Sequence, residues 1–246
     1  EISPKVREIR HSIQKFSNNN SKYLDRSASF SIIKPLVFLV DFNDLPSGMP
    51  ERAYSKEQFQ HLLFDTNLDS DDAGLHPKYD MSVRDYYDEI SNGKKEITGD
   101  IESIVPWRTA KENYSYYVDG VNGTGQGNGP DGTNNYVKSA GALVVEIAMA
   151  IDNEGFDFSQ FDNGKGFIDV VILIVAGKGG NLGTGNIFWP HMFAVPTSDP
   201  NSEFGLENIN PNAPSNSAGF FSPGSNGGVS IHKYIVIQEK YAWDHD

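Results

Sequence analysis

The run Phe-Ile-Asp-Val-Val-Ile-Leu-Ile-Val at 167–175 does most to limit what this chain can fold into. It is short, continuous and rich in β-branched residues, the pattern of a strand covered on both faces, and it predicts the centre of a sheet. A second run at 32–42, Ile-Ile-Lys-Pro-Leu-Val-Phe-Leu-Val-Asp-Phe, reads the same way, with Pro35 near its start where a missing donor does least harm. Such strands need helices packed over them, and the sequence supplies helix signals. Ser55 with Gln58 forms a capping box, with Tyr54 and Phe59 at the staple positions, which predicts a helix over 55–64. Ser82 with Asp85, Met81 with Tyr86 and the stop Asn92-Gly93 predict another over 82–91.

Residues 96–105 alternate apolar and polar side chains and predict a half-buried strand. From 135 to 152, Val137, Val144, Ile147, Ala148 and Ile151 share one stripe, with Leu143, Val145 and Met149 also apolar, so a helix buried around most of its circumference is expected. Residues 229–238 predict a further strand, and the Gly/Asn stretch 119–133 an irregular loop. This order points to an α/β to α+β class, a mixed sheet with packed helices in one domain. Residues 1–31 are polar and Asn-rich and read as a lead-in segment, the end of a propeptide, ahead of a sheet-bearing region over 32–246.

Composition excludes several functions. The 246 residues carry 33 Asp+Glu against 20 Lys+Arg, a formal charge of −13, and no basic patch interrupts it, so nucleic acid is not an expected partner. No apolar run reaches the roughly 18 to 20 residues of a membrane span. Cysteine is absent, which removes Cys-ligated zinc, iron–sulfur clusters and thiol nucleophiles. The 24 Gly, the abundant Asn and the 11 Tyr suit a secreted bacterial protein.

Chemistry is sparser than structure. Gly177, Gly179, Gly180, Gly183 and Gly185 follow the strongest strand, but a dinucleotide fingerprint from Gly177 needs glycine where Leu182 stands. Asp162, Asn163 and Asp169 flank a glycine turn in the manner of a degenerate calcium loop, and Lys165 falls where a further carboxylate would help. They are the candidate metal ligands. The six histidines are His11, His61, His76, His191, His232 and His245, none three or four apart, so no helix here offers two imidazoles to one metal. His191 lies in Trp-Pro-His-Met-Phe, where a packed core histidine competes with a functional one.

Three blocks carry a resemblance: Lys-Pro-Leu-Val-Phe-Leu-Val-Asp-Phe-Asn-Asp at 34–44; Ser-Val-Arg-Asp-Tyr-Tyr-Asp-Glu-Ile-Ser-Asn-Gly-Lys-Lys-Glu-Ile-Thr-Gly at 82–99; and Phe-Ser-Gln-Phe-Asp at 158–162, continuing to Ala176-Gly177. With Ile-Phe-Trp-Pro-His-Met at 187–192 they resemble the immune inhibitor A family of secreted bacterial zinc metallopeptidases over about 30–240. The resemblance implies a zincin-like twisted mixed sheet with packed helices, incomplete without an active-site helix carrying H-E-x-x-H. That motif is absent from the given sequence, so the expected role is the sheet and cleft wall of a zinc endopeptidase whose zinc ligands and catalytic residues lie in the remainder of the catalytic domain. Relatives commonly place a histidine before the Ala-Gly pair, where this chain has Val175.

The expected partner is therefore a protein or peptide substrate. It would run antiparallel to an edge strand at 186–195, with Phe188, Trp189, His191 and Phe193 as substrate-binding residues. A non-catalytic binding module or inactive peptidase relative, stabilised by calcium, is the alternative. A glycosidase working through paired carboxylates stands third.

Overall fold

The computed structural model describes residues 30–46, 52–68, 81–125, 138–179, 186–195, 219–222 and 228–240. In chain order its elements are β1 (Ser31–Ile33), β2 (Leu36–Asp41), α1 (Lys56–Phe64), α2 (Val83–Ser91), β3 (Lys95–Ile97), β4 (Ile104–Thr109), α3 (Tyr114–Val118), α4 (Ala140–Asn153), β5 (Phe167–Ile168), β6 (Val171–Lys178), β7 (His191–Ala194), β8 (Phe220–Ser222), β9 (Val229–Ile231) and β10 (Lys233–Lys240), with 3-10 turns at Ile101–Ser103 and Phe158–Phe161. The chain divides into two compact units, residues 1–32 with 61–97, and residues 33–60 with 98–246.

In the first unit β1 pairs with β3. Helix α2 starts where the sequence predicts, with the Ser82 hydroxyl accepting the Asp85 amide, and ends on Asn92 in the left-handed region. The capping box is only half formed, because the Asp85 carboxylate accepts from the Asn67 amide at 2.7 Å instead. Arg84 and Glu96 tie α2 to β3 by an ion pair of 2.5 Å.

The second unit is built on a five-stranded sheet in the order β4-β2-β6-β10-β7. The first four strands run parallel and β7 runs antiparallel to β10. The run at 167–175 supplies the central strand, as expected, although a break after Ile168 gives its first residues to a separate sheet, β5-β9-β8. Residue alternation splits the strands between two faces. Leu36, Phe38, Val40, Leu173, Val175, Tyr234 and Val236 join one core cluster with Leu143, Val144, Ile147 and Ile151 of α4, all under 5 % exposed. At about 25 cal/mol per Å² of apolar area, this shared interior is the main source of stability.

Four sequence expectations are corrected. The strand expected over 96–105 is interrupted, because the Asp100 carboxylate accepts the Glu102 and Ser103 amides and the Ser103 hydroxyl accepts the Asp100 amide. That capping box turns the chain through a 3-10 turn between β3 and β4. Helix α4 begins at Ala140 rather than 135, because Ser139 is extended at φ −153° and its hydroxyl accepts the Ala142 amide. The run at 32–42 breaks at Lys34-Pro35, so the buried core starts at Leu36. The strand at 229–238 breaks at His232 and serves two sheets.

Candidate functional site

Among the described strands β4 holds one edge of the five-stranded sheet and β7 the other. Its register on β10 pairs Phe193 with Tyr234 and Met192 with Ile235, and the Val195 amide donates to the His232 carbonyl at 2.9 Å. Antiparallel pairs alternate, so Val195, Phe193 and His191 direct their main-chain N–H and C=O groups at β10. Met192 and Ala194 direct theirs away from it. The side chains alternate too: His191 and Phe193 share the face of Tyr234 and Val236, while Met192 shares the face of Ile235.

The lead-in to this edge is held at every backbone group between Ile187 O and Trp189 O. The Ile187 carbonyl accepts from the Asn122 side-chain amide at 2.7 Å, and the Trp189 amide donates to the Asn122 carbonyl at 3.0 Å. Between them the Phe188 amide donates to the Tyr114 hydroxyl at 3.0 Å, and the Phe188 carbonyl accepts from Gln238 at 2.7 Å. The Trp189 carbonyl accepts from His191 Nδ1 at 2.7 Å. Since a carbonyl only accepts, Nδ1 carries the proton and Nε2 is left to accept from the Tyr234 hydroxyl at 3.0 Å. Burial holds the His191 pKa below the ordinary imidazole value, which favours this neutral tautomer. Burial also pushes the Tyr114 hydroxyl up to about 12.

The four residues expected to bind substrate thus lie on one continuous segment but play different parts. Phe188 is fully buried among Phe42 and Tyr114, a core residue that anchors the segment. Trp189 is 56 % exposed, and His191 and Phe193 line the half-buried side of β7. Sequence reasoning missed Tyr114, Asn122, Gln238 and the outward-facing Met192 and Ala194. Asn122-Gly123 was visible only as a turn signal inside the Gly/Asn stretch, of which residues 126–133 lie outside the described residues.

The expected metal loop closes on itself. Asp162 Oδ1 accepts the Gly164 amide at 3.0 Å and the Gly166 amide at 2.8 Å. The Asn163 side chain donates to Asp169 at 2.9 Å and accepts the Lys165 amide at 3.0 Å. The three candidates are therefore neighbours, joined through hydrogen bonds of their own.

The described histidines are each engaged elsewhere: His61 with Asp65 at 2.6 Å, His191 as above, and His232 stacked on Phe167 with ring centres 5.3 Å apart. Among the described residues no three His, Cys, Asp or Glu side chains form a group able to hold a metal ion, so these residues do not fit a zinc site. The glycine-rich residues 180–185 lie outside the described residues.

No helix among the described residues is long and apolar enough to cross a membrane. No curated protein matches the chain. The profile of the family described as immune inhibitor A peptidase M6, catalytic domain, matches residues 25–235, and the chain belongs to that family of metallopeptidases.

Proposed function

We propose that this chain forms the sheet and one wall of the substrate cleft in a secreted, zinc-dependent endopeptidase, and that an extended peptide adds to β7 as a further strand. The observation that carries the proposal is an edge that no described strand covers, where Met192 and Ala194 turn their main-chain groups away from β10 while the segment before them is fixed at its backbone. A peptide paired there gains affinity from the backbone whatever its sequence. A rigid edge loses little conformational entropy on binding. In this reading the zinc ligands and the water-activating base are supplied by the remainder of the catalytic domain.

The register also selects the experiment. Proline at 193 would remove an N–H that bonds β10 and so weaken the sheet itself, whereas proline at 194 removes one that faces the substrate. In the zinc-loaded peptidase, Ala194→Pro is expected to raise KM about tenfold or more with kcat far less affected, a loss of roughly 1.4 kcal/mol or more in substrate binding. An unchanged KM would overturn the edge assignment. Loss of activity to a zinc chelator, restored by zinc, tests the metal separately.

A further inference from the structure

In the first unit large apolar side chains face solvent: Phe30 (58 % exposed) and Ile32 (49 %) at β1, Tyr86 (50 %) and Ile90 (58 %) on α2. Helix α2 carries an apolar stripe, Val83, Tyr86, Tyr87 and Ile90, spaced three and four residues apart, yet none of its residues is buried. A nine-residue helix is marginal in water without packing, so an uncovered stripe of this kind calls for a partner. We propose that the partner is a segment of the same chain: residues 4–17, which lie outside the described residues, form an amphipathic helix laid on the exposed face of α2 and β1. The proposal is independent of the reading of β7 as a substrate edge.

The sequence of the segment fits the task. Ser3 followed by Pro4 is a helix start, and Asn18-Asn19-Asn20 marks a stop. Between them Val6, Ile9, Ile13 and Phe16 recur at alternating steps of three and four, which places all four on one narrow stripe. Its charge fits as well. The segment carries Lys5, Arg7, Arg10 and Lys15 against Glu8 alone, in a chain whose formal charge is −13. Helix α2 presents Asp85, Asp88 and Glu89, and its one cation, Arg84, is already paired with Glu96. The two helices are thus complementary in sign as well as apolar on facing stripes.

The path of the chain brings them together. The Ser31 amide donates to the Lys94 carbonyl at 2.9 Å, three residues beyond the end of α2, so the chain enters β1 beside the C-terminal end of that helix. Residues 18–29 join the segment to Phe30 and reach up to about 40 Å when extended, against roughly 14 Å for the whole of α2. A tether this short gives an effective concentration of the order of millimolar, at which modest contacts suffice. A second copy fits the same face less well, because a twofold contact would set the acidic α2 against itself.

The test is hydrogen exchange of the full chain, read by mass spectrometry at low micromolar protein. The amides of residues 5–17 are expected to exchange about tenfold or more slowly than those of an unstructured peptide. Ile90→Asp, at a solvent-facing position, is expected to abolish that protection while β2 and β6 keep theirs. Tyr86→Ser is expected to act likewise and serves if the first variant disturbs α2. From the other side, Ile13→Asp is expected to speed exchange in α2 several-fold. Residues 5–17 exchanging at the unstructured rate in the unmodified chain overturn the proposal. Protection that survives both α2 variants overturns it too, since the segment is then seated elsewhere. Protection of α2 that rises with protein concentration and ignores Ile13→Asp makes a second copy the occupant and likewise overturns it.

Discussion

The ring of Phe188 fills the space in which Gly123 would carry a side chain: a Cβ at Gly123 would stand 2.4 Å from Phe188 Cδ1. Gly123 also sits at φ +77°, where L side chains are strained. Gly123→Ala therefore faces both an overpacked contact and an unfavourable backbone. A loss of about 2–4 kcal/mol is expected from the two together, read from the midpoint of urea unfolding. Retention of wild-type stability would mean that the 121–125 turn is not tied to Phe188.

Glu146 is the charged residue in the middle of the apolar helix α4. Its carboxylate accepts from the Tyr117 hydroxyl and, at 2.7 Å, from the Lys111 amide, and Tyr117 is 2 % exposed. Burial first, and then this hydrogen bond to Glu146, raises the Tyr117 pKa well above the ordinary phenol value. Glu146→Ala strands a buried hydroxyl and is expected to cost about 1–3 kcal/mol, while Glu146→Gln keeps an acceptor and costs less. Chemical denaturation of both variants checks the order.

Acid sensitivity follows from His191 and His232, both of which burial holds below the ordinary value of 6.5. At His232 the charge of neighbouring Lys233 adds to the effect. Above pH 6.5 both states are neutral and these groups add nothing to the pH dependence. Below it the unfolded chain binds protons that the folded chain resists, so stability falls as pH drops through 6.5 toward the folded-state values. His191→Gln is expected to flatten the stability profile below that pH, measured as thermal midpoints across a buffer series.

Calcium provides a separate check on the 162–169 loop. Its polar groups bond within the loop itself, with Asp162 Oδ1 capping two amides and Asn163 bridging to Asp169 Oδ1. Addition of millimolar calcium is accordingly expected to leave Tm within a degree or so of its starting value. A rise of several degrees that Asp162→Asn abolishes would establish the loop as a calcium site.

Much of the fold could be read from local pattern, because the causes are local. The capping box of α1 forms as written, with the Ser55 amide donating to Gln58 at 2.9 Å, the Gln58 amide to the Ser55 hydroxyl at 3.2 Å, and the Tyr54 and Phe59 rings 5.9 Å apart. The strand expected at 96–105 failed for an equally local reason, since side-chain capping at Asp100 outcompetes the alternation of Ile97, Ile101 and Val105. Helix α3, five residues long, is too short to show a period at all.

The candidate site was legible only as a segment. That 186–195 contains an edge is what the family resemblance implies, but the faces of its residues follow from pairing with β10, some forty residues later. The Asn122 clamp joins groups 65 residues apart, and no spacing rule records such a pair. Phe188 illustrates the cost of judging by residue type: an aromatic beside an exposed tryptophan looked like contact surface and is core.

The strand order has a consequence for how the protein comes into being. β10 lies between β6 and β7, yet follows both in the chain, so among the described strands β7 has no neighbour until it arrives and the middle of the sheet stands open along β6. During synthesis the central apolar strands must therefore wait, with an unpaired flank exposed, for a strand that is made after them. Long-range parallel pairing of this kind is slow and prone to aggregation. The edge at β7 is accordingly assembled only once β10 has been added, because among the described strands β7 pairs with β10 alone.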